Sequence, residues 1–294
     1  MQKRPTIKNN LPLIVILGST GTGKTAISLE LASKIGGEII CADSRTVYRH
    51  MNIGTAKPSD KDRAKIKHWC LDLVNPNERF TVADFKIQAQ IAINDIRSRG
   101  KYPILVGGSG LYIDSVIFNF DLLPKANQKL RQELNILTTG ELQQHCIKNN
   151  IILPNNYTNR RHLIRKIETN GAVVKNTDIL SNTIVMGIDV EKTTLRKRVA
   201  NRVEQMLKDG LLQETEYLYK NYNTKLESMT ANVYSLANRY RTGEINKKQF
   251  IELATIRDMQ LVKKQRTWFR RNQHIIWLRR EEVIPYLLRI LDNK

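Results

Sequence analysis

The chain has 294 residues, 41% of them hydrophobic, which excludes a disordered chain and is enough to bury a full core in one large domain or in a domain carrying a smaller insertion. Lysine and arginine outnumber aspartate and glutamate by 48 to 28, and the resulting net charge of +20 favours a polyanionic partner, because each neutralised phosphate releases condensed counterions. A genome biased towards Lys and Asn is the competing source of that charge. Cys41, Cys70 and Cys146 lie far apart, with neither zinc-ligand spacing nor an even count, and fit a reducing, cytoplasmic setting. No apolar stretch approaches the ~18 residues that a membrane helix needs, so no membrane association is expected.

In chain order, residues 1–8 are basic and precede an apolar run at 11–17, which superficially resembles a signal peptide. That run passes straight into Gly18-Ser19-Thr20-Gly21-Thr22-Gly23-Lys24-Thr25 without a small-residue cleavage site, and so predicts a buried strand. Further strand-like runs follow at 38–42, 103–106 and 184–190, with helix-period segments at 24–34 and 82–99 between them. The alternation predicts an α/β fold with a parallel sheet flanked by helices. From 121 to 182 the pattern changes to short polar helices punctuated by Pro124, Gly140, Pro154 and Gly171. Because a strand-like run resumes at Ile184, this stretch is expected to be a small all-helical insertion in a core made of 1–120 and 183–294. Long helices are predicted at 194–209, 212–222, 229–241 and 247–270.

The strongest local chemistry is Gly18–Thr25, which fits G-x-x-x-x-G-K-[ST] between a strand and a helix. Backbone N–H groups of such a loop bind phosphate oxygens, Lys24 adds a point charge, and the Thr25 hydroxyl can hold a magnesium ion. The loop alone does not choose among phosphates. Two further segments bear on that choice. One is Asp43-Ser44-Arg45-Thr46 running on to Pro58, polar groups at the sheet's carboxyl edge, where Asp43 reads as a helix N-cap, a magnesium ligand or a group acting beside the phosphate loop. The other is residues 103–112, a strand entering a turn that carries the Ser109 hydroxyl and no carboxylate, whereas an NTPase would more usually place an acid there.

Together with His68-Trp69-Cys70-Leu71-Asp72 and the segment 263–270, these motifs occur in the order and rough spacing of the tRNA dimethylallyltransferase family, which the chain resembles over nearly its whole length. The resemblance implies a P-loop-type fold and a monomer that takes dimethylallyl diphosphate and a tRNA anticodon stem-loop. It would prenylate the exocyclic amine of the adenosine immediately 3′ of the anticodon, in tRNAs reading codons that begin with U. It implies Asp43 as general base, Ser109 (where Thr is usual) assisting the departing diphosphate, and magnesium at Thr25. Diphosphate contacts would come from Gly18, Ser19, Thr20, Gly21, Thr22, Gly23, Lys24 and Thr25, with Arg198 and Arg202. For the two arginines a solvated basic helix face is the alternative. tRNA contacts would come from Asp43, Ser44, Arg45, Thr46 and Ser109, and in the insertion from Arg131, Arg161, His162, Leu163, Ile164 and Arg165. An extruded loop adenosine suits this chemistry, because unstacking a loop base costs only about a few kcal/mol. Trp268 and Phe269 are expected in the core, with Lys263, Lys264, Arg266, Arg270 and Arg271 towards RNA.

The chain departs from the family pattern at Val233-Tyr234-Ser235-Leu236, at Asp258-Met259 in place of Thr-Arg, at Asn159 in place of Asp and at His162 in place of Arg. Three other readings therefore accompany the leading one: a prenyltransferase acting on free adenylate, a P-loop nucleotide kinase or NTPase, and a paralogue that binds tRNA without prenylating it.

Overall fold

The computed structural model describes residues 11–118, 127–172, 178–224, 226–230 and 233–292. In chain order its elements are β1 (Leu13–Leu17), α1 (Lys24–Ile35), β2 (Gly37–Ala42), α2 (Asp60–Lys65), β3 (His68–Trp69), α3 (Val82–Ser98), β4 (Tyr102–Gly107) and α4 (Gly110–Ile117). Then follow α5 (Gln128–Ile136), α6 (Thr139–Lys148), α7 (Arg160–Glu168), β5 (Thr183–Asp189), α8 (Lys192–Lys208), α9 (Leu211–Asn221), α10 (Tyr234–Arg241), α11 (Lys247–Phe269), β6 (Ile276–Arg279) and α12 (Val283–Asp292).

The chain folds as two units, Met1–Ile117 with Ile179–Lys294, and Phe118–Asp178. In the first, the strands form a parallel sheet in the order β3-β2-β4-β1-β5-β6. Every residue of β1 and β2 is buried, as a parallel sheet covered on both faces requires. One face packs Ile14, Ile16, Ile39 and Ile104 against Ile27 and Leu31 of α1 and Val283 and Leu287 of α12. The other is covered by α3 and α4, where Phe85 stacks on Tyr112 at 4.3 Å. A second core joins Val47, Tyr48 and Met51 to α8–α11. Glu38 of β2 is buried, and its carboxylate accepts from Trp69, Arg99 and Lys101, which pins short β3 to the sheet edge.

The predicted strands are all present, within two residues at each end. Short β3 carries too few apolar residues to register in a sequence window, β6 lies outside the predicted strands although residues 275–278 are an apolar run, and the turn after β4 continues as α4. The single helix expected at 229–241 is instead a 3-10 turn at Glu227–Thr230 and α10 from Tyr234. Met229, Val233, Leu236 and Ala237 are all buried at the i, i+4, i+7, i+8 spacing of one helical stripe, which is why the sequence predicts a single helix; buried Tyr234 lies off that stripe. Residues 179–182 belong with the first unit: Leu180 N–H donates to the Ile117 carbonyl (2.7 Å), and Leu13 N–H to that of Asn182 (3.0 Å). The second unit is a bundle of α5, α6 and α7 around Leu134, Leu142, Cys146, Leu163, Ile164 and Ile167.

The loop between β2 and α2 is held from outside by one carboxylate. Glu214 of α9 accepts from the backbone N–H groups of Asn52, Ile53 and Gly54 and from the Tyr234 hydroxyl, at 2.8–3.0 Å. Lys57, buried on the same loop, donates to the Tyr48 carbonyl (2.7 Å) and to Asp72 (2.6 Å). Removing Glu214 strands three backbone donors at once, each costing about 1 kcal/mol or more. Glu214→Ala is therefore expected to lose roughly 2–3 kcal/mol of stability in urea unfolding, and Glu214→Gln, which keeps one acceptor oxygen, about half of that. A Glu214→Ala loss below roughly 0.5 kcal/mol would show that the loop holds itself.

Candidate active site

The phosphate loop turns out of β1 with Gly18 and enters α1 through Gly23, whose left-handed conformation (φ 92°) is costly for any other residue. That helix start carries no side-chain cap, so its first N–H groups are left for a ligand. Within the loop, the Thr22 N–H and hydroxyl both donate to the Ser19 carbonyl, at 3.3 and 2.9 Å, and the Lys24 ammonium donates to the same oxygen at 2.9 Å. Desolvation pushes the Lys24 amine down to about 8; the Asp43 carboxylate opposes that shift and the Arg202 guanidinium adds to it.

Asp43 follows the last residue of β2. Its carboxylate accepts from the Arg45 N–H (2.8 Å), an Asx turn that fixes the side chain without a helix to cap. The Ser109 N–H donates to the Ala42 carbonyl (3.2 Å), and its hydroxyl oxygen accepts from the Ser44 N–H (3.0 Å). The Ser109 hydroxyl hydrogen is thereby left to be donated elsewhere. Thr46 is nearly buried, with its hydroxyl towards the Asp43 carbonyl, and the Arg45 guanidinium donates to the Glu227 carbonyl at 2.7 Å.

Two chambers open over these loops. The first, about 310 Å³, is walled by Gly21, Gly23, Lys24, Thr25, Cys41, Thr46 and His68. The second, about 500 Å³ and more apolar, is walled by Ser44, Arg45, Ser109, Tyr112, Met206, Val233, Leu261 and Trp268. Thr20, Asp43, Thr55, Gly108 and Arg202 line both. An Asp43 carboxylate at that junction can reach a ligand in either chamber.

Some expected site residues stand elsewhere. Arg198 lines neither chamber; its guanidinium donates to the Gly21 carbonyl (3.4 Å) and braces the loop from behind. Leu163 and Ile164 are buried in the insertion's own core, at 0% and 5% exposure, so their side chains pack the bundle and are not offered to RNA. Arg161 and His162 on the same helix are exposed. Arg131 forms a two-pronged ion pair with Glu168 (2.6 and 2.7 Å), which Arg165 also reaches at 3.4 Å. Phe269 is buried as expected, whereas Trp268 lines the second chamber and donates to Asp114 (2.7 Å), a carboxyl that burial raises to about 6.

Sequence reasoning passed over Gln265. Its carbonyl accepts from the Thr20 N–H and its amide donates to the Gly108 carbonyl, both at 3.0 Å, so one side chain ties the phosphate loop to the Ser109 turn. The partners lie 245 and 157 residues away, and only the motif at 263–270 marks the position.

A family model described as IPP transferase matches residues 46–272. Curated tRNA dimethylallyltransferases from Staphylococcus haemolyticus and Staphylococcus aureus (strain JH9) are 35% and 34% identical, over 92% and 94% of this chain and 87% and 95% of theirs. Among solved structures, a tRNA isopentenylpyrophosphate transferase from Bacillus halodurans superposes with a TM-score of 0.73 at 32% identity, covering 96% of each chain. A eukaryotic dimethylallyltransferase acting on tRNA superposes with a TM-score of 0.72 at 26% identity, covering 88% of this chain and 70% of that one.

A diphosphate ester contacted by Lys24 would bind in a pH-dependent way. The amine is protonated below about 8 and loses its charge above that value. The dissociation constant of such an ester, measured by titration calorimetry, is expected to rise about tenfold per pH unit above that point and to be flat for Lys24→Met. Equal slopes for both proteins would remove Lys24 from the phosphate contacts.

Proposed function

The chain belongs to the IPP transferase family, and on that premise we propose that it moves a dimethylallyl group from dimethylallyl diphosphate to the exocyclic amine of the adenosine immediately 3′ of the anticodon, in tRNAs reading codons that begin with U. The observation that carries this reading is the junction of the two chambers at Asp43, with the phosphate loop on one side and an apolar, aromatic-lined space on the other. The diphosphate lies along Gly18–Thr25, and the unstacked adenine enters the second chamber. Ring delocalisation makes the amine a weak nucleophile, so attack needs a proton acceptor and a stabilised leaving group. As the bond from nitrogen to the allylic first carbon forms, the bond from that carbon to oxygen breaks. Diphosphate leaves with the electron pair, and the amine proton passes to Asp43. Ser109 donates its hydroxyl hydrogen to the departing oxygen, while Lys24 and Arg202 face the charge that develops.

Magnesium is proposed at the Thr25 hydroxyl, which is exposed at the mouth of the phosphate loop. Among the described residues no group of three or more His, Cys, Asp and Glu could hold a metal, and magnesium characteristically takes only one or two protein ligands beside phosphate oxygens and water. The ion would neutralise charge on the diphosphate. Arg161, His162 and Arg165 are the proposed anticodon-stem contacts. The enzyme is taken to act as a monomer. No described helix is long and apolar enough to cross a membrane, and the reading places the enzyme in the cytoplasm.

Incubating the protein with magnesium, labelled dimethylallyl diphosphate and unmodified tRNA is expected to yield prenylated adenosine next to the anticodon on nuclease digestion. ATP hydrolysis without such a product would instead assign the phosphate loop to an NTPase. Asp43→Asn, which keeps the acceptor for Arg45 but not the base, is expected to lower kcat by roughly 10²–10⁴ while donor KM stays within about threefold; an unchanged kcat would end the general-base assignment. Arg161→Ala is expected to weaken tRNA binding and to reduce the slope of log K against log salt by about 1, with kcat on bound tRNA unaltered.

A further inference from the structure

Arg202 is the one cation that lines both chambers among the described residues, and its surroundings are unusual for an arginine. It reaches inward from α8, and Nη2 donates to Oδ2 of Asp258 on α11 at 2.6 Å. The Asp258 side chain is 12% exposed and that of Arg202 31%. Arg202 Nε is buried and has no hydrogen-bond partner among the described residues. Buried donors are nearly always paired, so the orphan marks a guanidinium whose position is set by its Asp258 contact and not by a full set of hydrogen bonds, while the exposed third of the side chain faces the chambers.

The electrostatics explain why a carboxylate is needed behind it. Arg202 lies close enough to Lys24 to help depress the Lys24 amine, so two cations converge on one small space. Their mutual repulsion, added to the desolvation of both, would drive the longer and more flexible arginine out towards water. Asp43 is the carboxylate lining both chambers, and an arginine released from α11 would have it as the alternative partner. Such a pairing would tie up the group proposed as base. Asp258 lines only the second chamber and takes one edge of the guanidinium, while Arg202 itself lines both chambers.

Building on the proposed function, we propose that Asp258 is a positioning residue for the transfer: it holds the Arg202 guanidinium at the junction of the two chambers, so that the donor diphosphate meets a preset cation.

The test is a double-mutant cycle on the full-length protein, reading the dissociation constant of dimethylallyl diphosphate with magnesium by titration calorimetry, without tRNA and without turnover. Asp258→Ala and Arg202→Ala are each expected to weaken binding by about tenfold, and the double variant by no more than either alone, because each removes the same oriented cation. Asp258→Asn keeps the shape and one acceptor oxygen, so it answers where the alanine variant folds poorly, with an expected loss of about threefold. Unchanged binding in Asp258→Asn and Asp258→Ala, or losses that multiply in the double variant, would overturn the positioning role. If the unaltered protein binds no prenyl diphosphate, the proposed function falls and this inference with it.

Discussion

Three residues level with one another across neighbouring strands set the position of everything in the site. Ala42, Gly107 and Leu17 end β2, β4 and β1, and the parallel register places Gly107 opposite both of the others. The chain leaves the sheet at one height in all three places, so Asp43, the turn carrying Ser109 and the phosphate loop start side by side. Gly107 keeps this line tight, because a Cβ there would collide with the Ala42 carbonyl. Ligand chemistry then needs only short connections: Ser109 bonds back to Ala42 and Ser44, and Gln265 closes the gap between the phosphate loop and Gly108.

On that frame two cations, Lys24 and Arg202, converge, and the second is held by the Asp258 carboxylate. Lys24 rests on a carbonyl of its own loop, and desolvation has already weakened its hold on a proton. Arg202 carries a buried donor with nothing to bond among the described residues. Both features cost free energy, and under the proposed function a bound diphosphate would offset that cost. The excess of 20 positive charges works at longer range, raising the local concentration of a polyanion.

What the sequence disclosed follows the range of the interactions involved. The phosphate loop was legible because eight consecutive residues carry its whole mechanism, and β1, β2, β4 and β5 because their burial on both faces demands unbroken apolar runs. Asp43 stood out as the first polar residue after such a run. The supports of the site were not legible: Glu214 grips residues 52–54 from α9, Gln265 reaches Thr20 from α11, and Asp258 holds Arg202 across two helices. Nothing in a local window announces such a pair. Leu163 and Ile164 teach a different lesson, since with Ile167 they form the apolar stripe of an amphipathic helix. Their periodicity pointed to the core of the insertion, and family resemblance set that signal aside.

Geometry at Asp43 decides the account. A crystal structure of the protein with a non-reactive thio analogue of dimethylallyl diphosphate and an anticodon stem-loop would display it directly. The expected result is diphosphate oxygens on the N–H groups of Gly18–Thr25, with the extruded adenine in the larger chamber and its exocyclic nitrogen within hydrogen-bond reach of the Asp43 carboxylate. An adenine bound away from that carboxylate, or a prenyl diphosphate seated off the phosphate loop, would contradict it.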